Sequence, residues 1–336
     1  MKRTAWHLLL SSHTKLSFGA IVIGRNEGAR LRRCLASLAP ATTIYVDSGS
    51  SDGSPEWARD FGVEVIELTL DVPFTAARAR NAGFCRLREI APHLTYAQFV
   101  DGDCEIRSAW PQNAILFLDS HKEIAAVCGR RSERYPEASI YNRLCDFEWN
   151  GPTGEVRYCG GDVMMRAAAL EAVGGYRADL IAGEEPELCV RLRAAGWRVW
   201  RLDTEMTLHD AAMTHFSQWW RRSTRAGYAF AQGSHLHGAA PERHWVWESR
   251  RAWLWGIALP MACVIVGIVS YPWGFATWLI YPLQVFRQVI RSQGPLSNRI
   301  QLALFQLLAK FPEALGQITF MRDRFLKRQA RLIEYK

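Results

Sequence analysis

The first third of the chain alternates short apolar runs with helical spacings. Residues 18–23 (FGAIVI) form an unbroken apolar run ending at Gly24, the pattern of a strand covered on both faces in a parallel sheet. Leu31, Cys34, Leu35 and Leu38 then recur at three- and four-residue intervals, predicting a helix that Pro40 closes. The same reading gives strands over 43–46, 63–68, 96–100 and 124–128, with helices over 55–61, 74–90 and 110–119 between them. Such alternation predicts βαβ units and an α/β fold over 17–130, with a mostly parallel sheet and helices on both faces. Ligands of these sheets bind beyond the carboxyl ends of the strands, where this sequence places Arg25-Asn26-Glu27, Asp47 and Asp101-Gly102-Asp103.

Periodicity weakens over 131–155, which reads as an excursion above that edge. It returns with helices over 166–173 and 184–195, the latter closed by Gly196, and with a strand over 197–202. An amphipathic helix over 217–233 leads through a linker at 236–251 to 35 residues without a charged side chain, 252–286. A spanning helix takes about 20 apolar residues, so this run fits a hairpin of two short or tilted segments turning near Tyr271-Pro272-Trp273-Gly274. Trp253, Trp255, Trp273, Trp278 and Tyr281 are suited to interfacial anchoring, and Arg250, Arg251, Arg287 and Arg291 would hold both ends on the cytoplasmic side. A buried helical pair in a soluble domain is the alternative. Residues 299–311 and 312–326 combine apolar faces with basic residues, as interfacial helices do and as helices packed on a domain also can.

Composition narrows this picture. Of 336 residues, 49% are hydrophobic and 22% charged, enough apolar material for a sizeable core and too much for disorder. The formal net charge is +8, and between Arg287 and Lys336 ten Lys/Arg face three acidic residues, so the excess gathers in the basic tail. The eight cysteines show no CxxC pair or zinc spacing and read as reduced core thiols. The opening MKRTAWHLLLSS, part of an N-terminal extension at 1–16, is too short in its apolar stretch for a signal peptide, so export is not expected.

The densest chemistry is DGDCEI after an apolar strand. Asp101 and Asp103 flank a glycine and can bring two carboxylates to one hard divalent cation, Mg²⁺ or Mn²⁺, with coordination left for diphosphate oxygens. Alone, Asp-Gly-Asp is also a common turn. DSGSSDGS offers Asp47 to a nucleobase or ribose, or is a solvated turn; Arg80, in ARNAG, is either a nucleotide contact or a surface charge.

Taken together, IVIGRNEG (21–28), VDSGSSDGS (46–54), ARNAG (79–83), FVDGDCEI (99–106), GGDVMMRAAAL (160–170) and GEEPELCVRLRAAGW (183–197) resemble glycosyltransferase family 2, the inverting GT-A enzymes that use nucleotide-diphosphate sugars. The resemblance implies a GT-A domain over 17–235, with a nucleotide-binding half at 17–130 and an acceptor half at 131–235. The uncharged run and the charge pattern described above add an expected membrane hairpin at 252–286 and basic amphipathic helices at 287–336.

It makes Asp47 and Arg80 nucleotide contacts supported by Asn26, Glu27 and Asp52. Asp101 would meet the sugar nucleotide and share with Asp103 the cation on the diphosphate, with His209 a further metal ligand or merely hydrogen-bonded. Gly160, Gly161 and Asp162 match the stretch lining the donor sugar. GEEPEL stands where the family has Glu-Asp. Glu185 is the expected base and Glu184 the second choice, although an acid-rich helix start would look the same. Arg221, Arg222 and Arg225 are candidates for the leaving diphosphate or for lipid phosphates.

The implied partners are a UDP-sugar or related donor, a lipid-linked saccharide acceptor and membrane lipids at the cytoplasmic face of the inner membrane. The carboxylates argue against nucleic acid. A sugar nucleotidyltransferase and a non-catalytic membrane scaffold are the competing readings.

Overall fold

The computed structural model describes residues 17–69, 71 and 74–328. The extension at 1–16 and the tail's Arg331 and Lys336 lie outside the described residues. The first half follows the alternation of the sequence: β1 Phe18–Gly24, α1 Ala29–Leu38, β2 Thr42–Asp47, α2 Ser54–Asp60, β3 Glu64–Glu67, α3 Ala76–Ile90 and β4 Tyr96–Asp101. β3, β2, β1 and β4 lie side by side and parallel. Five consecutive residues are buried in each of β1 and β4, because helices cover both faces and leave no side of these strands to water. α3 starts two residues later than its apolar pattern suggests, because the Thr75 hydroxyl caps it by accepting from the Arg78 amide.

The second half is antiparallel where it meets the first. β5 Cys104–Ile106, α4 Trp110–Ser120, β6 Ile124–Glu133, α5 Ile140–Trp149, β7 Gly154–Glu155, β8 Val163–Arg166, α6 Ala167–Ala172, α7 Glu184–Ala194 and β9 Arg198–His209 follow in order. β8 pairs antiparallel with both β4 and β6, and β9 runs parallel to β6 and antiparallel to β5 and β7. β6 and β9 outrun their apolar signals by five and seven residues. Their second halves are mostly polar, and their register shifts twice between Cys128 and Arg131, a bulged pairing that apolar periodicity does not mark. These polar extensions bring Arg131, Glu133 and His209 to the edge where β4 ends.

Beyond the sheet come α8 Phe216–His237 and α9 Val246–Trp253, the latter starting inside the segment expected as a linker and running past its end. A π-type turn, Leu254–Ala258, continues α9 into α10 Leu259–Val269. Together Val246–Val269 is the single helix among the described residues that is long and apolar enough to cross a bilayer. The chain reverses after Val269, returns through a 3-10 stretch Trp273–Leu279 into α11 Ile280–Arg291, and ends in α12 Leu296–Leu308 and α13 Lys310–Phe325. The expected second apolar leg is therefore a 3-10 stretch joined to an amphipathic helix. The tip is bare: Val269 is 79% exposed and Trp273 85%.

α13 packs back along α8, and Gly227 makes the crossing possible. A Cβ there would sit 1.9 Å from the Glu313 carbonyl oxygen, a backbone atom that cannot swing aside. Gly227→Ala is therefore expected to destabilise the protein by about 1–3 kcal/mol through overpacking. Thermal unfolding of the two proteins checks this, and an unchanged midpoint would show that α13 is not seated on α8.

Candidate active site

At the carboxyl edge of β1 and β4 a cleft of about 1160 Å³ opens beneath α5, α8, α12 and α13. Asn26, Glu27, Asp101, Asp103, Gly161 and Glu185 line its sheet side. Its organising group is Arg80 on α3, 2% exposed. Nη2 donates to Asp101 Oδ1 at 2.9 Å, and Nη1 donates to Glu184 Oε1 at 2.8 Å and lies 2.6 Å from Glu185 Oε1. The guanidinium also lies over the Tyr176 ring, 5.7 Å from its centre. Burial alone would lower its pKa, but Glu185, Asp101 and Glu184 reverse that and hold it well above the usual value. A buried charge of this kind is tolerated only with close partners, so the clamp draws the end of β4 and the start of α7 onto one cation.

Gly161 completes the clamp by yielding space. A Cβ there would lie 2.6 Å from Arg80 Nη2 and 2.9 Å from Asp101 Oδ2. Asp162 locks the strands beneath: its carboxylate accepts from the Asp101 amide at 3.0 Å and from the Thr207 hydroxyl at 2.8 Å.

Glu184 and Glu185 open α7, where the helix dipole and backbone amides favour carboxylates. Burial pushes the Glu185 carboxyl up to about 7; Arg80 opposes the shift, and Glu184 and Asp101 add to it. A carboxylate with this affinity for protons, lining a cleft, has the character of a general base near neutral pH.

The second centre is Asp103 with His209. Their Oδ2 and Nε2 atoms are 3.2 Å apart, and Glu133 Oε2 holds the other ring nitrogen, Nδ1, at 3.3 Å. Pairing of β9 with β5 sets Cys104 opposite His209, and pairing with β6 sets Glu133 opposite it, so the register itself builds the cluster. Trp149 meets the imidazole edge-on with ring centres 4.5 Å apart. Burial, then Arg131, lower the His209 pKa, which keeps the ring neutral and able to bind a cation. A carboxylate and an imidazole whose far nitrogen is held by a second carboxylate form a donor set that fits a divalent metal. Burial raises the neighbouring Cys104 thiol well above its ordinary pKa, so it is protonated and a poor ligand.

Several sequence expectations are placed differently. Asp101, expected beside the cation, turns Oδ1 to Arg80 and Oδ2 to Arg131 Nη2 at 3.2 Å. Asp47 and Asp52 do not line the cleft. The Asp47 carboxylate, 1% exposed, accepts from the Tyr45 hydroxyl, the Ser50 hydroxyl and the amides of Gly49 and Ser50, so it shapes its own loop. Asp52 accepts from the Ser54 amide at 3.0 Å. Asn26 ties the two loops by donating its amide to Ser50 Oγ and accepting from the Ser51 amide, both at 2.8 Å, and Glu27 pairs with Arg30. Arg222 and Arg225 line the cleft and Arg221 does not. Arg131, Glu133 and Trp149 were not singled out from sequence; the alternation of Arg131 and Glu133 at the end of a strand pattern was their available signal.

Residues 20–168 match the family described as glycosyl transferase family 2. That stretch carries a family 2 glycosyltransferase domain. Among curated relatives, the succinoglycan biosynthesis protein ExoA of Rhizobium meliloti (strain 1021) is 27% identical over 205 residues, covering 56% of this chain and 61% of that protein. The pre-mycofactocin glycosyltransferase of Mycobacterium tuberculosis (strain ATCC 25618 / H37Rv) is 27% identical over 200 residues, 55% of this chain and 41% of that protein. The chain thus spans less than two thirds of either relative's length. Among solved structures, the mannosyltransferase PcManGT from Pyrobaculum calidifontis, in complex with GDP-Man and Mn²⁺, superposes with a TM-score of 0.59 at 18% identity over 89% of this chain and 87% of that one. S. aureus TarS 1-349 does so with a TM-score of 0.50 at 13% identity, covering 93% and 92%. These likenesses establish the GT-A fold.

The matched span holds Arg80, Asp101 and Asp103, while Glu184, Glu185 and His209 lie beyond it and reach the site through the fold. Arg80→Ala would leave three carboxylates facing one another without their cation. A loss of about 3–5 kcal/mol in denaturant unfolding is expected, with Arg80→Lys intermediate because one ammonium cannot bridge as a planar fork does. A loss under about 1 kcal/mol, the size of a surface pair, would overturn the clamp.

Proposed function

We propose that this chain transfers a sugar from a nucleoside-diphosphate sugar to an acceptor hydroxyl with inversion at the anomeric carbon. The observation that carries this reading is one cleft holding both a carboxylate tuned to about 7, Glu185, and the Asp103–His209 pair. The acceptor oxygen bonds to the anomeric carbon as the bond from that carbon to the diphosphate oxygen breaks. The hydroxyl proton passes to Glu185, and the nucleoside diphosphate leaves. Arg80 keeps Glu185 in place and charged for that step, with Glu184 as the second carboxylate on the same guanidinium. Asp103 and His209 would hold the divalent cation, which when bound offsets the charge of the departing diphosphate. A mixed oxygen and nitrogen donor set suits Mn²⁺ better than Mg²⁺.

A UDP-sugar is our first choice of donor and a lipid-linked saccharide our choice of acceptor. The exposed apolar tip at Val269 and Trp273, with arginines at both ends of the uncharged run, supports attachment of the hairpin to the cytoplasmic face of a membrane.

The deciding measurement is nucleoside diphosphate release from UDP-, GDP- and dTDP-sugars by membrane-extracted protein, with Mn²⁺ and after chelation. Release with one donor, lost on chelation and in Asp103→Ala, is expected; no release with any donor would remove the reading. Below pH 7 the rate should rise about tenfold per pH unit as Glu185 loses its proton, then level off above it. Glu185→Gln should abolish this limb and lower the rate by about 10²–10⁴-fold. A flat profile from acid to neutral pH would exclude Glu185 as the base.

A further inference from the structure

The cleft has a second pole. Apart from the sheet side with Asp103 and Glu185, its wall is made of residues from five helices, which mix cations with bulky apolar groups. From α8 come Trp219, Arg222 and Arg225, from α12 Leu302 and Phe305, and from α5 Leu144. Arg251 of α9 and Lys310 of α13 reach the same space, so four cations stand on this wall against two carboxylates, Glu148 and Glu313. Glu148 pairs with Arg222 at 2.7 Å and Glu313 with Lys310 at 2.5 Å.

The position of Arg251 and Lys310 matters. Arg251 is the last charge before the uncharged run, and the helix that carries this run crosses the Lys310 carbonyl so closely that a Cβ at Gly256 would lie 2.2 Å from it. Both cations therefore stand where the apolar hairpin leaves the catalytic domain, the level of phosphates if the hairpin is in a bilayer. α12 divides this chamber from the outside. Leu302 and Phe305 face the cleft, while Leu296, Ile300 and Leu304 on the same helix are 60%, 40% and 48% exposed. A helix apolar on both its inner and outer faces suits a boundary between two apolar phases, not one between protein and water.

We propose that this wall is a subsite for the phosphate-bearing end of a lipid acceptor, with Arg251 and Lys310 at the phosphate and the acyl or prenyl chain running out beside Trp219, Leu302 and Phe305 along α12. The assignment of this lipid as acceptor rests on the glycosyltransferase reading above. A phosphate that must sit near two cations while its chain stays out of water fixes how far the attached hydroxyl projects toward Glu185.

The test uses the full chain in lipid nanodiscs and a polyprenyl phosphate with a photoreactive group on its chain. Labelled peptides are expected from α8 and α12. Unlabelled polyprenyl phosphate should compete, the uncharged polyprenol about tenfold less well or worse, and inorganic phosphate not at all. The double variant Arg251→Gln, Lys310→Gln should weaken competition by about tenfold or more. Leu302→Trp should suppress labelling, with nucleotide-sugar binding by calorimetry confirming that the variant is folded. Labelling confined to the hairpin's outer face, equal competition by inorganic phosphate, or wild-type labelling in both variants would each overturn the subsite. Failure of the wild-type chain to bind any nucleotide sugar while the lipid still labels α12 would instead remove the donor reading and leave a lipid site.

Discussion

One buried guanidinium sets the geometry on which the rest of the site depends. Arg80 is held on α3, which packs against β1 and β2, and from there it reaches the end of β4 and the first turn of α7. The local pattern starts α7 at Glu184, but it does not require that start to sit beside the end of β4. What requires it is electrostatic: three carboxylates with no cation among them would repel, and a guanidinium with no carboxylate would be a bare charge in the protein interior. Each side makes the other tolerable, so the two halves of the domain meet in one arrangement. Burial is the main cause of the raised proton affinity of Glu185; its two acidic neighbours add to it, and together they outweigh the pull of Arg80.

The second cluster depends on strand register instead of charge balance. His209 is the last residue of β9, and its position opposite both Cys104 and Glu133 follows from a ladder that runs parallel to one neighbour and antiparallel to the other. A slip by one residue would turn the imidazole to the opposite face and away from Asp103. The bulges in the β6–β9 pair act before that point, so the strands reach the edge with Arg131 and Glu133 both engaged: Arg131 on Asp101 and Trp149, Glu133 on His209. Charge and register thus divide the work, one fixing the proposed base and the other the proposed metal ligands.

The unequal legibility of the sequence has the same origin. β1 and β4 were readable because both of their faces are buried, which leaves an apolar run that nothing else explains. Asp101, Asp103, Glu185 and His209 were readable as candidates because carboxylates and imidazole stand directly after such runs or open a helix. Their partners were not. Arg131 and Glu133 sit in the polar half of a strand, where apolar periodicity is silent. Asp47 was legible as a polar group at the right edge, but the sequence does not show that three donors of its own loop and the Tyr45 hydroxyl of β2 satisfy it. Position along a strand can be read from pattern; which atom a carboxylate turns toward depends on groups far away in the chain. The same limit applies to the apolar run, whose length indicated two legs but whose return is a 3-10 stretch and an amphipathic helix.

That return has a consequence for the cleft. A hairpin that ended in the bilayer would leave the site open on the side of α8. Here the chain comes back through α11 and α12, and α13 then lies along α8 at a glycine crossing with almost no space between the backbones. The helices that follow the apolar run therefore supply one wall of the same cleft to which the sheet supplies the other. The proposed membrane attachment and the proposed catalysis would then not be separable modules joined by a tether. Any tilt of the hairpin relative to the sheet moves Lys310 and Phe305 relative to Glu185, since all three border one volume. On the proposed attachment of the hairpin to a lipid surface, a cleft built in this way would couple the depth at which the protein sits there to the distance between an acceptor group and the proposed base.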